Sequence, residues 1–192
     1  MPKAIIFDFF GVIVSRITPY WFGKYFPDRD YHEMMRLHTI RADKGEITEQ
    51  QLFEDLGALV AKPPAEVRQE WFDHATLRED TLDLAKRLRA HFRTAILTDT
   101  PNFLFWDIVG KYGLRQHFEP IVVSSEVKMT KEDPRMFELM LRNLGIGPGD
   151  AVFTDDKPEN VELARSVGIR SFVFTDAAQF EKDLAGIGVV AE

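Results

Sequence analysis

The chain predicts an α/β fold built on a parallel sheet of about five strands, and three observations carry that expectation. Short apolar runs without alternation at 4–7, 94–97, 121–123, 151–153 and 171–174 read as strands buried on both faces. Helical patterns separate the later runs, and strands alternating with helices imply parallel strands joined by right-handed crossovers. The 192 residues carry 45% hydrophobic and 29% charged side chains, the mix of a globular chain that forms one domain, alone or with a small insertion.

The first strand, Ala4-Ile5-Ile6-Phe7, ends at the carboxylate of Asp8, with Gly11 three residues later. Residues 12–14 read as a small flap. The segment 16–80 reads as helical, with no strand run. Its first helical stretch, 20–26, is aromatic-rich and stops at Pro27. A helix over 31–42 follows, carrying Met34, Met35, Leu37, His38 and Ile40 and ending at Lys44-Gly45-Glu46. Thr48 and Gln51 form a capping box ahead of a helix with Leu52, Phe53, Leu56, Leu59 and Val60 at helical spacing. Pro63-Pro64 breaks that helix and opens another through Trp71 and Phe72. Most of these aromatics read as core.

From Thr81 the pattern turns regular. Leu84, Ala85 and Leu88 line one helix face, with Leu82 near the helix start, while Lys86, Arg87, Arg89 and Arg93 form a solvated one. The second strand ends at Thr98-Asp99-Thr100, where Thr100 reads as an N-cap with Pro101 at the first helical position. That helix stops at Gly113. A helix over 133–144 closes at Gly145, the fourth strand ends at Thr154-Asp155-Asp156, and Pro158 opens a helix closing at Gly168. A last helix spans 178–184.

A net charge of −7 and a pI near 5.3 argue against a general nucleic-acid binder. The absence of cysteine removes disulfides, thiolate metal sites and cysteine nucleophiles. With no basic-then-apolar leader and no run approaching the ~18 apolar residues of a membrane span, a cytoplasmic enzyme is the default expectation. His32, His38, His74, His91 and His117 show no metal-ligand spacing and read as structural or surface residues.

Asp8, Thr98 and the pair Asp155-Asp156 each follow an apolar strand closely, and Lys131 lies in the loop after the third. In a parallel sheet these groups meet at one edge, where ligands bind. Taken singly, each aspartate also reads as a helix or turn cap and Lys131 as a surface residue. Together, three mutually repelling carboxylates suit Mg²⁺. Lys131, Thr98 and the cation would cradle a phosphate dianion, leaving Asp8 as a nucleophile able to form an aspartyl-phosphate.

Four stretches in order then resemble the motifs of the haloacid dehalogenase-like superfamily: Asp8-Phe9-Phe10-Gly11-Val12, Thr98-Asp99, Lys131-Glu132-Asp133-Pro134-Arg135-Met136-Phe137 and Asp155-Asp156-Lys157-Pro158-Glu159-Asn160. The resemblance implies a Rossmann-like core over 1–15 and 81–192 and an inserted all-helical cap over 16–80. It further implies Asp8 as nucleophile and Mg²⁺ ligand, Asp156 as the second carboxylate ligand and the Phe10 backbone carbonyl as a further one. Asp155 would bond Lys131 or a metal-bound water, Asn160 would stand behind the ligands, and Thr98, Asp99 and Lys131 would hold the phosphate. Three positions depart from the pattern, the first being Asp99, where the second motif usually has Asn. Glu132 replaces a proline, and Phe10 stands where most phosphatases of the superfamily carry the aspartate that protonates the leaving group. A general acid–base group is typically worth about 10²–10⁴-fold, so turnover of poor leaving groups is expected to be slow unless another group supplies the proton.

The reading that follows is a Mg²⁺-dependent phosphatase-like hydrolase of a small phosphorylated metabolite, with no nucleic-acid or membrane partner. The alternatives are a 2-haloacid dehalogenase, which needs no Mg²⁺, and an impaired member that binds a phosphorylated ligand or a protein. Arg36, Arg41 and Tyr20-Trp21-Phe22 are the expected cap residues lining the site.

Overall fold

The computed structural model describes residues 1–190. Strand β1 (Ala4–Phe7) lies at the middle of a five-stranded parallel sheet. β2 (Arg93–Thr98) and β4 (Ala151–Asp155) flank it, with β3 (Ile121–Val123) and β5 (Arg170–Val173) outside them, in the order β3-β2-β1-β4-β5. The chain thus builds one half of the sheet outward from β1, returns, and builds the other half. The strand order reverses beside β1, the place where open α/β sheets bind ligands.

Every side chain of β1 is buried, which explains the missing alternation. Ile5 and Phe7 pack on one face of the sheet with Phe105, Phe118 and Phe180, while Ala4 and Ile6 face Phe137, Met140 and Phe153 on the other. Register sets the height of the strand ends. Phe7 pairs with both Ile96 and Thr154, so Asp8, Thr98 and Asp155 finish at nearly one level.

Between β1 and β2 run α1 (Thr18–Tyr25), α2 (Tyr31–His38), α3 (Ile40–Asp43), α4 (Glu49–Val60), α5 (Pro64–His74) and α6 (Glu79–Arg89). The capping box at α4 forms as expected: Thr48 Oγ1 accepts from the Gln51 N–H, and Gln51 Oε1 accepts from the Thr48 N–H at 2.9 Å. The remaining helices are α7 (Asn102–Tyr112), α8 (Ser124–Val127), α9 (Pro134–Leu144), α10 (Pro158–Ser166) and α11 (Ala177–Ala185). No helix among the described residues is long and apolar enough to cross a membrane.

Three local expectations change. Residues 12–14 are a buried tight turn rather than a free flap: the Phe9 carbonyl accepts the N–H groups of Val12, Ile13 and Val14, and Val14 then bridges Leu77 antiparallel. The helix expected over 31–42 breaks at Thr39, whose hydroxyl donates to the Met35 carbonyl at 3.1 Å and competes with the helical ladder. Thr100 does not cap α7. Its N–H donates to Ser124 Oγ at 2.9 Å, and Pro101 takes the cap position.

Candidate active site

The carboxyl ends of β1, β2 and β4 gather the polar residues singled out by the sequence. Asp8 directly follows β1, its N–H donating to the Thr154 carbonyl at 2.9 Å. The residue is 5% exposed, and its Oδ1 lies 2.7 Å from Lys131 Nζ. Lys131 also reaches Asp155 Oδ2 at 2.5 Å, and its backbone N–H donates to Asp99 Oδ1 at 2.9 Å. Asn160 Nδ2 donates to the same Asp155 oxygen at 3.0 Å, while Asp155 Oδ1 accepts the Lys157 N–H at 2.8 Å. Both oxygens of Asp155 therefore have protein partners. Asp156 is different: Oδ2 pairs with Arg16, and Oδ1 is buried with no partner among the described residues.

Charge explains the strain of this arrangement. Burial, then the nearby charge of Asp155, pushes the Asp8 carboxyl up to about 8, against the pull of Lys131. Burial also raises Asp156, against Arg16, and Asp99, against Lys131. For Lys131 burial disfavours the charge, but Asp155 and Asp8 outweigh it and hold the ammonium form. Asp8, Asp155 and Asp156 each offer an oxygen, all within 4.8 Å of one another. Three hard oxygen donors, an excess of negative charge and the orphaned Asp156 oxygen fit a small divalent cation.

A pocket opens over this cluster. Its walls include Asp8, Phe10, Arg16, Asp99, Lys131 and Asp156 from the strand-end side. Tyr31, Met35, Thr39, Asp43 and Trp71 close it from the helical segment. Phe10 is half-buried, and Thr98 is buried at the end of β2 with an unpartnered hydroxyl, outside the pocket walls. Thr100 stands in the wall instead, its buried hydroxyl likewise unpartnered. Gly11 belongs to the same construction. Its φ is +87°, and any Cβ there would collide with the Asp156 carboxylate.

The helical residues expected at the pocket are elsewhere. Trp21 and Phe22 pack into the core, Tyr20 stacks on His74, and Arg41 pairs with Glu46 at the surface. Arg36 is exposed. Aromatic residues in a short amphipathic helix bury themselves first, and long cations stay in water. Sequence reasoning passed over Arg16, Asp43 and Thr100. Arg16 meets Asp156 across 140 positions, with no local signal.

Comparison with known proteins bears on this geometry. A family model for haloacid dehalogenase-like hydrolases matches residues 2–168. The D-ribitol-5-phosphate phosphatase of Bacteroides thetaiotaomicron is 24% identical, over 97% of this chain and 98% of that protein. Among solved structures, a HAD family enzyme of Bacteroides thetaiotaomicron in complex with magnesium and inorganic phosphate superposes with a TM-score of 0.76 at 23% identity, covering 94% of this chain and 99% of that one. L-2-haloacid dehalogenase from Xanthobacter autotrophicus superposes at 0.68 with 20% identity, covering 97% of this chain and 84% of that one. The chain belongs to the haloacid dehalogenase-like hydrolases.

Proposed function

We propose that this protein is a Mg²⁺-dependent phosphatase acting on a small phosphate monoester, with Asp8 as nucleophile. The observation that carries the reading is the buried Asp8–Lys131–Asp155 array beside Asp156, open to a pocket at the strand reversal. Asp8, Asp156 and the Phe10 carbonyl hold the cation in this reading, with Asp155 as a supporting carboxylate fixed by Lys131 and Asn160. Bound Mg²⁺ supplies the positive charge that keeps Asp8 ionised and offsets the charge of the phosphate.

The chain's own residues do the rest. An Asp8 carboxylate oxygen attacks phosphorus, the bond from phosphorus to the leaving oxygen breaks, and an aspartyl-phosphate forms. Water then attacks that phosphorus, releasing inorganic phosphate and regenerating Asp8. Lys131 fixes Asp8 and, with Thr98 and Asp99 at the end of β2, shapes the phosphate seat. Residues 16–80 act as a cap over a core of 1–15 and 81–192. The mixed ancestry of the pocket walls supports this division. The full-length similarity to a ribitol phosphate phosphatase supports the substrate class.

The test is phosphate release from p-nitrophenyl phosphate and ribitol 5-phosphate, with and without Mg²⁺. Asp8→Asn should lower turnover by a factor on the order of 10⁴ or more while leaving the fold intact. Near wild-type turnover by that variant would overturn the assignment. Metal-independent halide release from 2-chloropropionate would instead favour the dehalogenase reading.

A further inference from the structure

We propose that Asp43, delivered from the helical segment, is the general acid–base residue that Phe10 cannot be. The inference rests on the phosphatase reading above and names the proton carrier for the same site.

Three features of the structure lead to Asp43. It stands in the wall of the pocket that also contains Asp8 and Phe10. Among the described residues, no side chain or backbone group donates a hydrogen bond to its carboxyl, although Asp8, Asp99 and Asp155 nearby all have partners. A half-buried carboxyl without a partner in a pocket wall is costly, and such groups concentrate where they do chemistry. Finally, its backbone is fastened to the strand-end side. Ser124 Oγ donates to the Asp43 carbonyl at 2.6 Å and itself accepts the Thr100 N–H. Two residues on, Lys128 Nζ donates to the Gly45 carbonyl, and Gly45 (φ +63°) lies against the Ser125 backbone with no room for a Cβ. The tip of α3 is thus docked on α8, and the Asp43 side chain has a defined place beside the pocket.

The protonation state suits the role. The charged groups facing Asp43 are Asp99 at the end of β2, Lys131 ahead of α9 and Lys157 ahead of α10. Burial, then the repulsion of Asp99, pushes the Asp43 carboxyl up to about 8, with Lys157 and Lys131 opposing. It therefore holds its proton at neutral pH. As the phosphorus–oxygen bond breaks, the leaving alcohol oxygen takes that proton. The resulting carboxylate then accepts a proton from the water that attacks the aspartyl-phosphate, which returns Asp43 to its starting form. Phe10, lining the same space, keeps competing water from the leaving group.

The experiment compares leaving groups, using the full chain with Mg²⁺. For the wild type, turnover of an alkyl phosphate should fall as pH rises through about 8, and turnover of p-nitrophenyl phosphate, whose leaving group needs little protonation, should fall much less. Asp43→Asn should lose about 10²–10⁴-fold in kcat/KM on the alkyl phosphate, less than about tenfold in kcat/KM on the aryl one, and the alkaline limb of the alkyl profile, while the slowed hydrolysis of the shared aspartyl-phosphate shows as a burst of p-nitrophenol. Adding Phe10→Asp to Asp43→Asn should restore a large part of the alkyl activity. An equal loss of kcat/KM on both substrates with no burst, or a change confined to KM, would reduce Asp43 to a binding residue and overturn the proposal. So would a wild-type alkyl profile flat through pH 9, which needs no variant to fold. Absence of Mg²⁺-dependent phosphate release by the wild type from either substrate would sink the phosphatase reading itself, a result separate from any of these.

Discussion

Replacing Lys131 with methionine removes one charge from the most constrained place in the molecule. The side chain is 2% exposed, and its Nζ lies 2.7 Å from Asp8 and 2.5 Å from Asp155. With an effective dielectric of about 20, a fully ionised contact at this range is worth about 6 kcal/mol of attraction before desolvation is charged against it, and Asp8, pushed up to about 8, contributes less than that at pH 7.5. Methionine keeps most of the volume but leaves two buried carboxyl groups facing each other without a cation. Breaking a buried pair in this way costs about 3–5 kcal/mol. For a chain of this size, each kcal/mol lowers Tm by about 2–4 °C, so a drop of roughly 10 °C is expected. The assay is urea and thermal unfolding in EDTA at pH 7.5. Lys3→Met serves as the control: its exposed pair with Asp150 at 2.8 Å should be worth less than about 1 kcal/mol. The sign of the pH dependence follows from burial. Removing the cation raises a buried carboxyl further, and that difference costs stability only as pH climbs past the wild-type folded value, so the deficit grows as pH rises. Asp8, already pushed up to about 8 with Lys131 in place, can only move higher. A Lys131→Met protein within about 1 kcal/mol of wild type at pH 7.5 would refute the idea that this lysine holds the site together.

Two further outcomes are expected. Gly11→Ala should cost at least about 1–2 kcal/mol for the left-handed backbone alone and, by displacing the Asp156 carboxylate, weaken Mg²⁺ binding measured by calorimetry; unchanged affinity would remove Asp156 from the cation site. Glu70 accepts from Trp21 Nε1 at 3.0 Å, Tyr25 Oη at 2.8 Å and Lys62 Nζ at 2.9 Å. Although burial opposes its ionisation, Lys62, Tyr25 and Trp21 prevail and hold its carboxyl down at about 2. A depressed carboxyl stabilises the fold above its unfolded pKa and loses that contribution as pH falls from about 4.5 to 2, so Glu70→Gln should cost about 1–2 kcal/mol at pH 7, after allowance for solvent screening, and remove that part of the acid slope in denaturant unfolding.

The sheet was legible in the chain because its determinants are local. A strand buried on both faces must be a short apolar run, and Ala4–Phe7, Ile121–Val123 and their counterparts can be little else. The site's strand-end residues were legible for the same reason. Parallel strands in register bring Asp8, Thr98 and Asp155 to one level, so knowing the strands was enough to bring the carboxylates together. The walls supplied by the helices were not legible. Trp21 and Arg41 offered the chemistry of a pocket lining, but burial claimed the first and solvent the second. The residues that do face the site, Asp43 and Arg16, owe their places to partners far away in the chain: Ser124 for one, Asp156 for the other. Helical periodicity says which face of a helix is apolar, and it carries no information about which polar residue at a helix end the docking of that helix will turn toward a carboxylate cluster. The amino-acid sequence by itself thus determined the sheet and the charges along its edge, while only tertiary packing decided what stands above them.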